Sequence, residues 1–510
     1  MTNTLFDRLV TAGKAVPSRV FAYLDDGRTY SHGDVDTVSA RFAAHLLSLG
    51  VKPGDRVAVQ VDKSIEAFML YLATVRAGAV FLPLNTAYTQ HEVDYFLGDA
   101  KPALFVCRPE TEQTLSPVAA KHGAVLKTLG IWQSPDHDAG SFFEAVPEEA
   151  GSFRNVPRGP DDLAAILYTS GTTGRSKGAM LTHDNLLSNA EVLLTEWEFT
   201  ASDVLLHALP IYHTHGLFVA GNTLLLAGGA MIFQAAFKTA DVLNALPKAT
   251  AMMGVPTFYT RLLDDPRFTR EAASHMRLFV SGSAPLLAET HAAFEARTGH
   301  RILERYGMTE TNMNTSNPYR GERRAGTVGF PLPGVEIRIA DRESGAIMAD
   351  KEIGVIEVRG RNVFKGYWKM PEKTAQEFRP DGFFITGDLG VIDDRGYVSI
   401  VGRGKDLIIS GGFNIYPKEL ELLIDELPGV VESAVIGVPH PDFGEGVVAV
   451  VVCDNGAHLD ETALLETMKE KIAKFKQPKR YVMVDELPRN AMGKVQKNVL
   501  REAYKGIFAG

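Results

Sequence analysis

From about residue 30 to residue 330, short β-branched runs such as Val57 to Val61 and Ala103 to Cys107 alternate with helical patterns such as Val35 to Leu49. Strands that alternate with helices return over the face of their own sheet, so this pattern predicts an α/β fold of mostly parallel sheets with helices on both faces. Between about 335 and 400 the character changes to short runs, VEIRI, GVIEVRG and GYVSIVGR, separated by Gly and Asp turns. That predicts a small antiparallel β subdomain. After Arg403 a second compact unit is expected. Pro417 opens a helix over Lys418 to Leu427, VESAVIGV and VVAVVVC pair as strands, and YVMVDEL adds another. Asp460 caps a helix reaching Phe475, and a basic helix runs from Val495 to Tyr504. The division expected is a large N-terminal domain over 1–403, its β subdomain at about 335–400, and a small α+β C-terminal domain over 405–510.

At 510 residues, 45% hydrophobic and 23% charged, the chain has the composition of a soluble protein with more than one core. Its 53 basic and 62 acidic residues leave a net charge of −9, which argues against a general nucleic-acid surface or an anionic-membrane anchor. Cys107 and Cys453 sit in apolar runs, LFVC and VVVC, and read as buried structural thiols. Asp7 and Arg8 interrupt the N-terminus where a signal peptide would need its apolar core, so a cytoplasmic location is expected. Leu217 to Phe237 carries no charge, but Asn222, Gln234 and Gly228-Gly229 break it into a helix-like and a strand-like half. A buried βα unit is expected there, not a membrane span.

Chemistry enters with YTSGTTGRSKG, Tyr168 to Gly178, which follows the apolar run Leu163 to Leu167 and precedes a helical pattern from about Asn185 to Trp197. A loop between a strand and a helix is expected, the geometry in which backbone N–H groups face an anion. Gly171, Gly174 and Gly178 permit that backbone path, while Ser170, Thr172, Thr173 and Ser176 add donors and Lys177 a point charge. The lysine spacing is not that of the G-x-x-x-x-G-K-[ST] phosphate loop.

Three further segments follow in order: YGMTE at 306–310; ITGDLG at 385–390 with GRGKDLIISGGFNIYPKELE at 402–421; and PRNAMGKV at 488–495. With the glycine-rich loop they span most of the chain. The set resembles the acyl-adenylate-forming superfamily of acyl-CoA synthetases, luciferases and peptide-synthetase adenylation domains, and within it the malonyl-CoA or methylmalonyl-CoA synthetases.

The resemblance implies an acid-CoA ligase that uses ATP, Mg²⁺ and coenzyme A. A carboxylate is a poor electrophile until it acquires a better leaving group, and joining it to an α-phosphate brings two anions together. By resemblance, Thr169 to Gly174 with Lys177 hold the β- and γ-phosphates, and Thr309 and Glu310 offer hard oxygens to Mg²⁺. Lys494 bridges the substrate carboxylate and the α-phosphate. Ser283, Ala284 and Pro285 form the adenine-edge loop; Glu304, Tyr306, Gly307 and Met308 line the nucleotide, with Tyr306 offering a face for stacking. Asp388 accepts the ribose hydroxyls and Arg403 adds a contact. In the family the C-terminal domain rotates about a hinge, matched here by Lys405, so that Lys494 leaves and Gly411 and Gly412 line the pantetheine tunnel. Acetylation of an exposed Lys494 by a lysine acetyltransferase would remove its charge.

In LPIYHTHGL the resemblance puts His213 near the reacting carboxylate. Thr214, His215, Ser281, Arg305 and Met308 then suggest a small, polar, cationic pocket, fitted to an acid with a second carboxylate such as malonate or methylmalonate. An alternative stays open at this stage: Arg305 pairs with Glu304 or another acid, His215 is a satisfied core residue, and the substrate is a short monocarboxylate. An adenylation enzyme loading a carrier protein is a further alternative, although no segment with a modifiable serine follows Gly510. A luciferase-like oxygenase and a non-catalytic nucleotide binder are disfavoured, the latter because Lys494 and Glu310 are both present.

Overall fold

The computed structural model describes residues 2–132, 138–149, 151, 153–169, 176–410, 413–454, 461–472, 474, 476–490 and 493–509. The chain forms two compact units, one of Met1–Ile337 with Val358–Phe384 and one of Arg338–Glu357 with Ile385–Gly510.

The first unit is built on two sheets. A six-stranded sheet runs in the order Val125–Thr128, Leu104–Cys107, Arg56–Gln60, Val80–Pro83, Leu163–Thr169, Lys177–Thr182, parallel throughout except for its last pair. A nine-stranded sheet has Leu303–Met308, Leu278–Ser281, Ala251–Gly254, Val204–His207, Ala230–Phe233 and Val20–Leu24 parallel at its centre, with antiparallel neighbours at both edges. The expected α/β pattern is therefore present. Between the sheets lies the helix Ile65–Arg76, every residue of which is buried, as a helix apolar on all sides must be. Tyr71 meets Phe81 of the smaller sheet at 5.3 Å, and Phe68 meets Phe21 and Phe233 of the larger at 5.9 and 6.4 Å. The Tyr71 hydroxyl donates to Asn222 Oδ1 at 3.0 Å, so its burial leaves no donor unmade.

Two sequence expectations change here. The glycine-rich loop does not lead from a strand into a helix: it joins the antiparallel strands Leu163–Thr169 and Lys177–Thr182, and the helix His183–Glu196 starts only afterwards. The apolar run at 177–182 supplies a hairpin arm, and Thr182 then caps the helix by accepting from the Asn185 N–H. Cys107 is buried as expected, whereas Cys453 is half-buried because it ends its strand. The uncharged stretch folds as a π-helical turn over His215–Asn222, an α-helix over Thr223–Ala227 and the strand Ala230–Phe233. Among the described residues no helix is long and apolar enough to cross a membrane.

The second unit holds most of a four-stranded sheet with the order Val335–Ala340, Gly354–Gly360, Phe384–Ile392, Val398–Arg403. A five-stranded sheet carries Val430–His440 and Gly444–Cys453 as a long antiparallel pair, with Arg480–Val484 parallel to the latter. Its central run is continuously apolar because both faces are covered: Val447, Ala449 and Val451 pack under Leu420, Ile424 and Met468, while Val448 and Val450 pack with Leu487 and Leu500. Helices Pro417–Asp425 and Lys497–Tyr504 occupy the positions expected. The expected cap Asp460 and the residue Phe475 lie outside the described residues, and the helix between them spans Glu461–Lys471. The boundary expected at 403–405 falls inside this unit, where Arg342 donates to the Gly404 carbonyl at 3.4 Å and Arg403 pairs with Asp388.

Candidate active site

In the first unit the chemistry-bearing residues gather at the carboxyl ends of parallel strands, where open α/β sheets present their crevices. The strand Val204–His207 leads to the segment of His213 to His215; Leu278–Ser281 ends on Ser281 and leads to Ser283 to Pro285; its neighbour Leu303–Met308 carries Glu304, Arg305, Tyr306 and Met308.

Leu303–Met308 turns back tightly into Asn312–Ser316, and a Cβ on Gly307 would run into the Asn312 carbonyl, so this close return requires glycine. Thr309 and Glu310 occupy the turn, Thr309 half-buried and Glu310 buried. Glu310 is fixed from outside that hairpin: its carbonyl accepts from the Phe364 N–H at 2.7 Å, and its Oε1 accepts from the Tyr367 hydroxyl at 3.0 Å. Tyr367 also lies 2.7 Å from Glu377 Oε2, and Lys177 Nζ donates to Glu377 Oε1 at 2.9 Å while sitting 4.0 Å from the Tyr367 ring centre. Burial alone would raise the Glu377 carboxyl, but hydrogen bonds from Lys177 and Lys373, with Tyr367 sharing its single proton between Glu377 and Glu310, hold it below its usual range. Tyr367 and Glu377 had no sequence signal beyond a tyrosine after a glycine, and were missed. Thr169 ends its strand opposite Lys177; Ser170, Gly171, Thr172, Thr173 and Gly174 lie outside the described residues.

The turn over Ser283 to Pro285 is held by the buried Glu304, whose Oε1 accepts from the Leu286 N–H at 3.1 Å. Ser283 itself has a left-handed backbone, φ 69°. Ala284 and Pro285 are exposed, and Tyr306 is buried in its strand.

The acid pocket is the most unusual part of the unit. Thr214, His215, Ser281 and Arg305 are all buried, and Thr214 Oγ1, His215 Nε2, Ser281 Oγ and the Nε and Nη2 of Arg305 make no hydrogen bond. Nearly every buried polar group in a folded protein is satisfied, so five orphaned atoms, on the helical turn of Thr214 and His215 and on the adjacent strands of Ser281 and Arg305, are consistent with a place for a polar ligand. The Arg305 guanidinium lies against the backbone of Gly282, where a Cβ would strike it. Burial pulls its pKa down to about 9, which leaves it a cation at neutral pH. Tyr259 and Glu304 nearby favour its charged form, but neither makes an ion pair with it among the described residues. Adjacent strand residues point to opposite faces, and the Glu304 carboxylate is engaged with the turn at Leu286. Burial, then Arg305, His213 and His207 nearby, hold His215 well below its usual value and hence neutral, and its Nδ1 lies 3.3 Å from Ser283 Oγ. Behind the pocket the half-buried Lys63 donates to His207 Nδ1 at 2.9 Å and to the carbonyls of His207 and Gln234 at 2.8 and 2.5 Å. His207 Nε2 lies 2.8 Å from the Gly216 carbonyl, which fixes the turn that bears His213 to His215. Sequence reading missed Lys63 and His207, because a lone lysine or histidine after a strand has no pattern.

In the second unit, Asp388 is buried and accepts from Arg403 Nε at 2.9 Å across an antiparallel pair. Lys405 is exposed in a 3₁₀ turn over Gly404–Asp406, and Asp406 accepts from Arg501 at 2.6 Å. Lys494 is exposed in the turn before the helix Lys497–Tyr504. Gly411 and Gly412 lie outside the described residues.

Comparison with known proteins agrees with this arrangement. The AMP-binding enzyme family matches residues 10–368, and the AMP-binding enzyme C-terminal domain matches 419–494. A malonate-CoA ligase of Arabidopsis thaliana is 34% identical, covering 94% of this chain and 85% of its own length. A feruloyl-CoA synthase of an Amycolatopsis species is 36% identical, covering 94% of each. Among solved structures, ATP-bound MatB from Rhodopseudomonas palustris superposes with a TM-score of 0.96 at 59% identity, covering all of both chains. With the family match running through residues 10–368 and relatives alike over nearly the whole chain, this chain belongs to the AMP-binding enzyme family.

Proposed function

We propose that this protein is an ATP-dependent malonate-CoA ligase that also accepts methylmalonate. One carboxylate oxygen of the acid attacks the α-phosphorus of ATP, the bond from that phosphorus to the bridging oxygen breaks, and its electron pair leaves with pyrophosphate. The sulfur of coenzyme A, its proton lost to solvent, then attacks the acyl carbon of the mixed anhydride, and AMP leaves with the electrons of the carbon–oxygen bond.

The single observation that carries the choice of acid is Arg305, a buried cation with no ion pair among the described residues. A buried unpaired charge costs several kcal/mol, roughly, and the second carboxylate of a dicarboxylic acid removes that cost. In this reading Arg305 takes the distal carboxylate with Thr214, His215 and Ser281, and His213 stands by the reacting one. Met308 and Thr214 bound the space at the middle carbon. The monocarboxylate alternative supposes that Arg305 pairs with Glu304 or another acid and that His215 is satisfied in the core; the orphaned Arg305 and His215 nitrogens favour the dicarboxylate instead.

At the nucleotide end, a buried carboxylate oriented by a tyrosine hydroxyl fits a hard divalent cation, so Glu310 with Thr309 would hold Mg²⁺. When bound, that ion would neutralise phosphate charge. Asp388 and Arg403 take the ribose, Ser283 to Pro285 and Tyr306 the adenine, and the loop 169–174 with Lys177 the outer phosphates. Lys494 supplies the cation between carboxylate and α-phosphate. The domains move about Lys405, which exchanges Lys494 for the glycines 411 and 412. The exposure of Lys494 favours its acetylation by a lysine acetyltransferase as a control on the first step, and the absence of a membrane-spanning helix among the described residues is compatible with a cytoplasmic site.

The test is ATP–pyrophosphate exchange with malonate, methylmalonate, succinate and propionate, followed by thioester detection with coenzyme A. Malonate and methylmalonate should give the highest kcat/KM. Equal rates with propionate would overturn the assignment.

A further inference from the structure

The turn that presents Lys494 is held far more closely than an exposed loop requires. Residues 489 and 495 form an antiparallel bridge, and the Gln496 N–H donates to the Pro488 carbonyl at 2.8 Å, which closes the base of the turn. Within it, one residue engages both backbone polar groups of Lys494. Asn490 N–H donates to the Lys494 carbonyl at 2.9 Å, and the Lys494 N–H donates to Asn490 Oδ1 at 3.0 Å. The Gly493 N–H donates to the Asn490 carbonyl at 2.9 Å, and Gly493 turns with φ 73°.

The turn is then fastened to the body of its unit on two sides. Arg489 spans one: Nη1 donates to the Gly493 carbonyl at 2.6 Å, and Nη2 pairs with Glu432 on the strand Val430–His440. Lys497 spans the other, 2.5 Å from Glu421 of the helix Pro417–Asp425, and Glu421 is itself buried and accepts from the Val435 N–H at 2.9 Å. The Arg489 and Glu432 side chains are 36% and 31% exposed, and ion pairs this open contribute little to global stability. Their geometry instead fixes where one backbone segment stands.

A flexible ammonium on a mobile loop would lose rotational freedom at every turnover. Positioning of a reacting group can be worth a hundredfold for about 1 Å. We propose that Asn490 and Arg489 are positioning residues that hold the Lys494 turn in its adenylation-competent shape, and that neither acts in thioester formation. The inference rests on the reading of Lys494 as the cation of the first half-reaction.

The experiment measures both half-reactions in the full-length protein: ATP–pyrophosphate exchange with malonate, and thioester formation from chemically prepared acyl-AMP with coenzyme A. Asn490→Ala and Arg489→Leu should lower exchange about 10- to 100-fold while thioester formation stays within about twofold and the unfolding temperature is unchanged. Asn490→Asp keeps an oxygen acceptor for the Lys494 N–H and should recover exchange to within about threefold. A merely structural role would lower both half-reactions together, and that result overturns the inference, as does an Asn490→Asp enzyme as slow as Asn490→Ala. Lys494→Ala separates the two levels. If it loses exchange while Asn490→Ala and Arg489→Leu keep it, the positioning inference alone falls; if it keeps exchange, the underlying reading falls and takes the inference with it.

Discussion

Arg305→Leu tests the acid pocket most directly, because it sets activity and stability against each other. In the folded protein Arg305 is 3% exposed, and burial lowers its pKa from 12.5 to about 9, which costs the charged form on the order of a few kcal/mol. A second carboxylate recovers part of this when it binds, and truncating one partner of a buried charge pair typically loses about 2–5 kcal/mol. The kcat/KM for malonate in pyrophosphate exchange should therefore fall by a factor of about 30 to 5,000, while that for propionate changes by less than about threefold. The unliganded variant should also be more stable than wild type, by about 1–4 kcal/mol, since leucine removes a buried charge that has no partner. Urea unfolding without substrate measures this, and added malonate should raise the midpoint of the wild type and leave that of the variant unmoved. Parallel losses on malonate and propionate, or a destabilised variant, would refute the argument that Arg305 waits for a ligand anion.

Gly307→Ala should cost about 1–3 kcal/mol in urea unfolding and disturb the turn of Glu310, because the new methyl meets the Asn312 carbonyl; a variant of unchanged midpoint would show that the hairpin relaxes freely. Lys405→Pro should leave pyrophosphate exchange intact and slow thioester formation, and survival of both rates counts against the hinge. Asp425 gives a pH prediction. Burial chiefly, with Glu421 and Glu432 nearby and against the Ser433 hydrogen bond, raises its carboxyl from 3.8 to about 6. The folded state thus holds the proton more tightly than the unfolded one, so stability is lost as pH rises from about 4 and the loss is complete above about 6. Asp425→Asn should accordingly stabilise the protein at pH 7.5 by about 2–3 kcal/mol, the gain shrinking toward zero near pH 4; a gain independent of pH would exclude this cause.

Much of the fold could be read from periodicity, and where it could not the reason is local. The run VVAVVVC announced a strand, and its lack of alternation followed from the two cores that cover it. The strand Lys177–Thr182 was hidden because its apolar residues lie between a glycine-rich loop and a helix cap, so the loop was assigned to a strand–helix junction when it belongs to a hairpin. The π-helical turn over His215–Asn222 has no sequence signature, yet it buries Thr214 and His215 at the pocket. Motif order pointed to Glu310, Arg305 and Lys494. It did not single out Tyr367 or Lys63, which are far from those residues in sequence, or Asn490, which lies inside PRNAMGKV but carries no charge.

The two ends of the site are built on opposite electrostatic principles, and the difference follows from what each must do. Around Glu310 the charges are compensated before any ligand arrives: Tyr367, Glu377 and Lys177 form a closed set in which each carboxylate has a donor. Such a network holds its geometry without substrate, as a frame for phosphate chemistry should. Around Arg305 the charge has no ion pair among the described residues, and the hydroxyls of Thr214 and Ser281 and the Nε2 of His215 are unbonded. On the proposed reading, rejection of a monocarboxylate would need no steric wall, because an acid that leaves the guanidinium unpaired would forfeit the free energy that a dicarboxylate recovers, and discrimination would rest on a buried charge that only the right substrate completes.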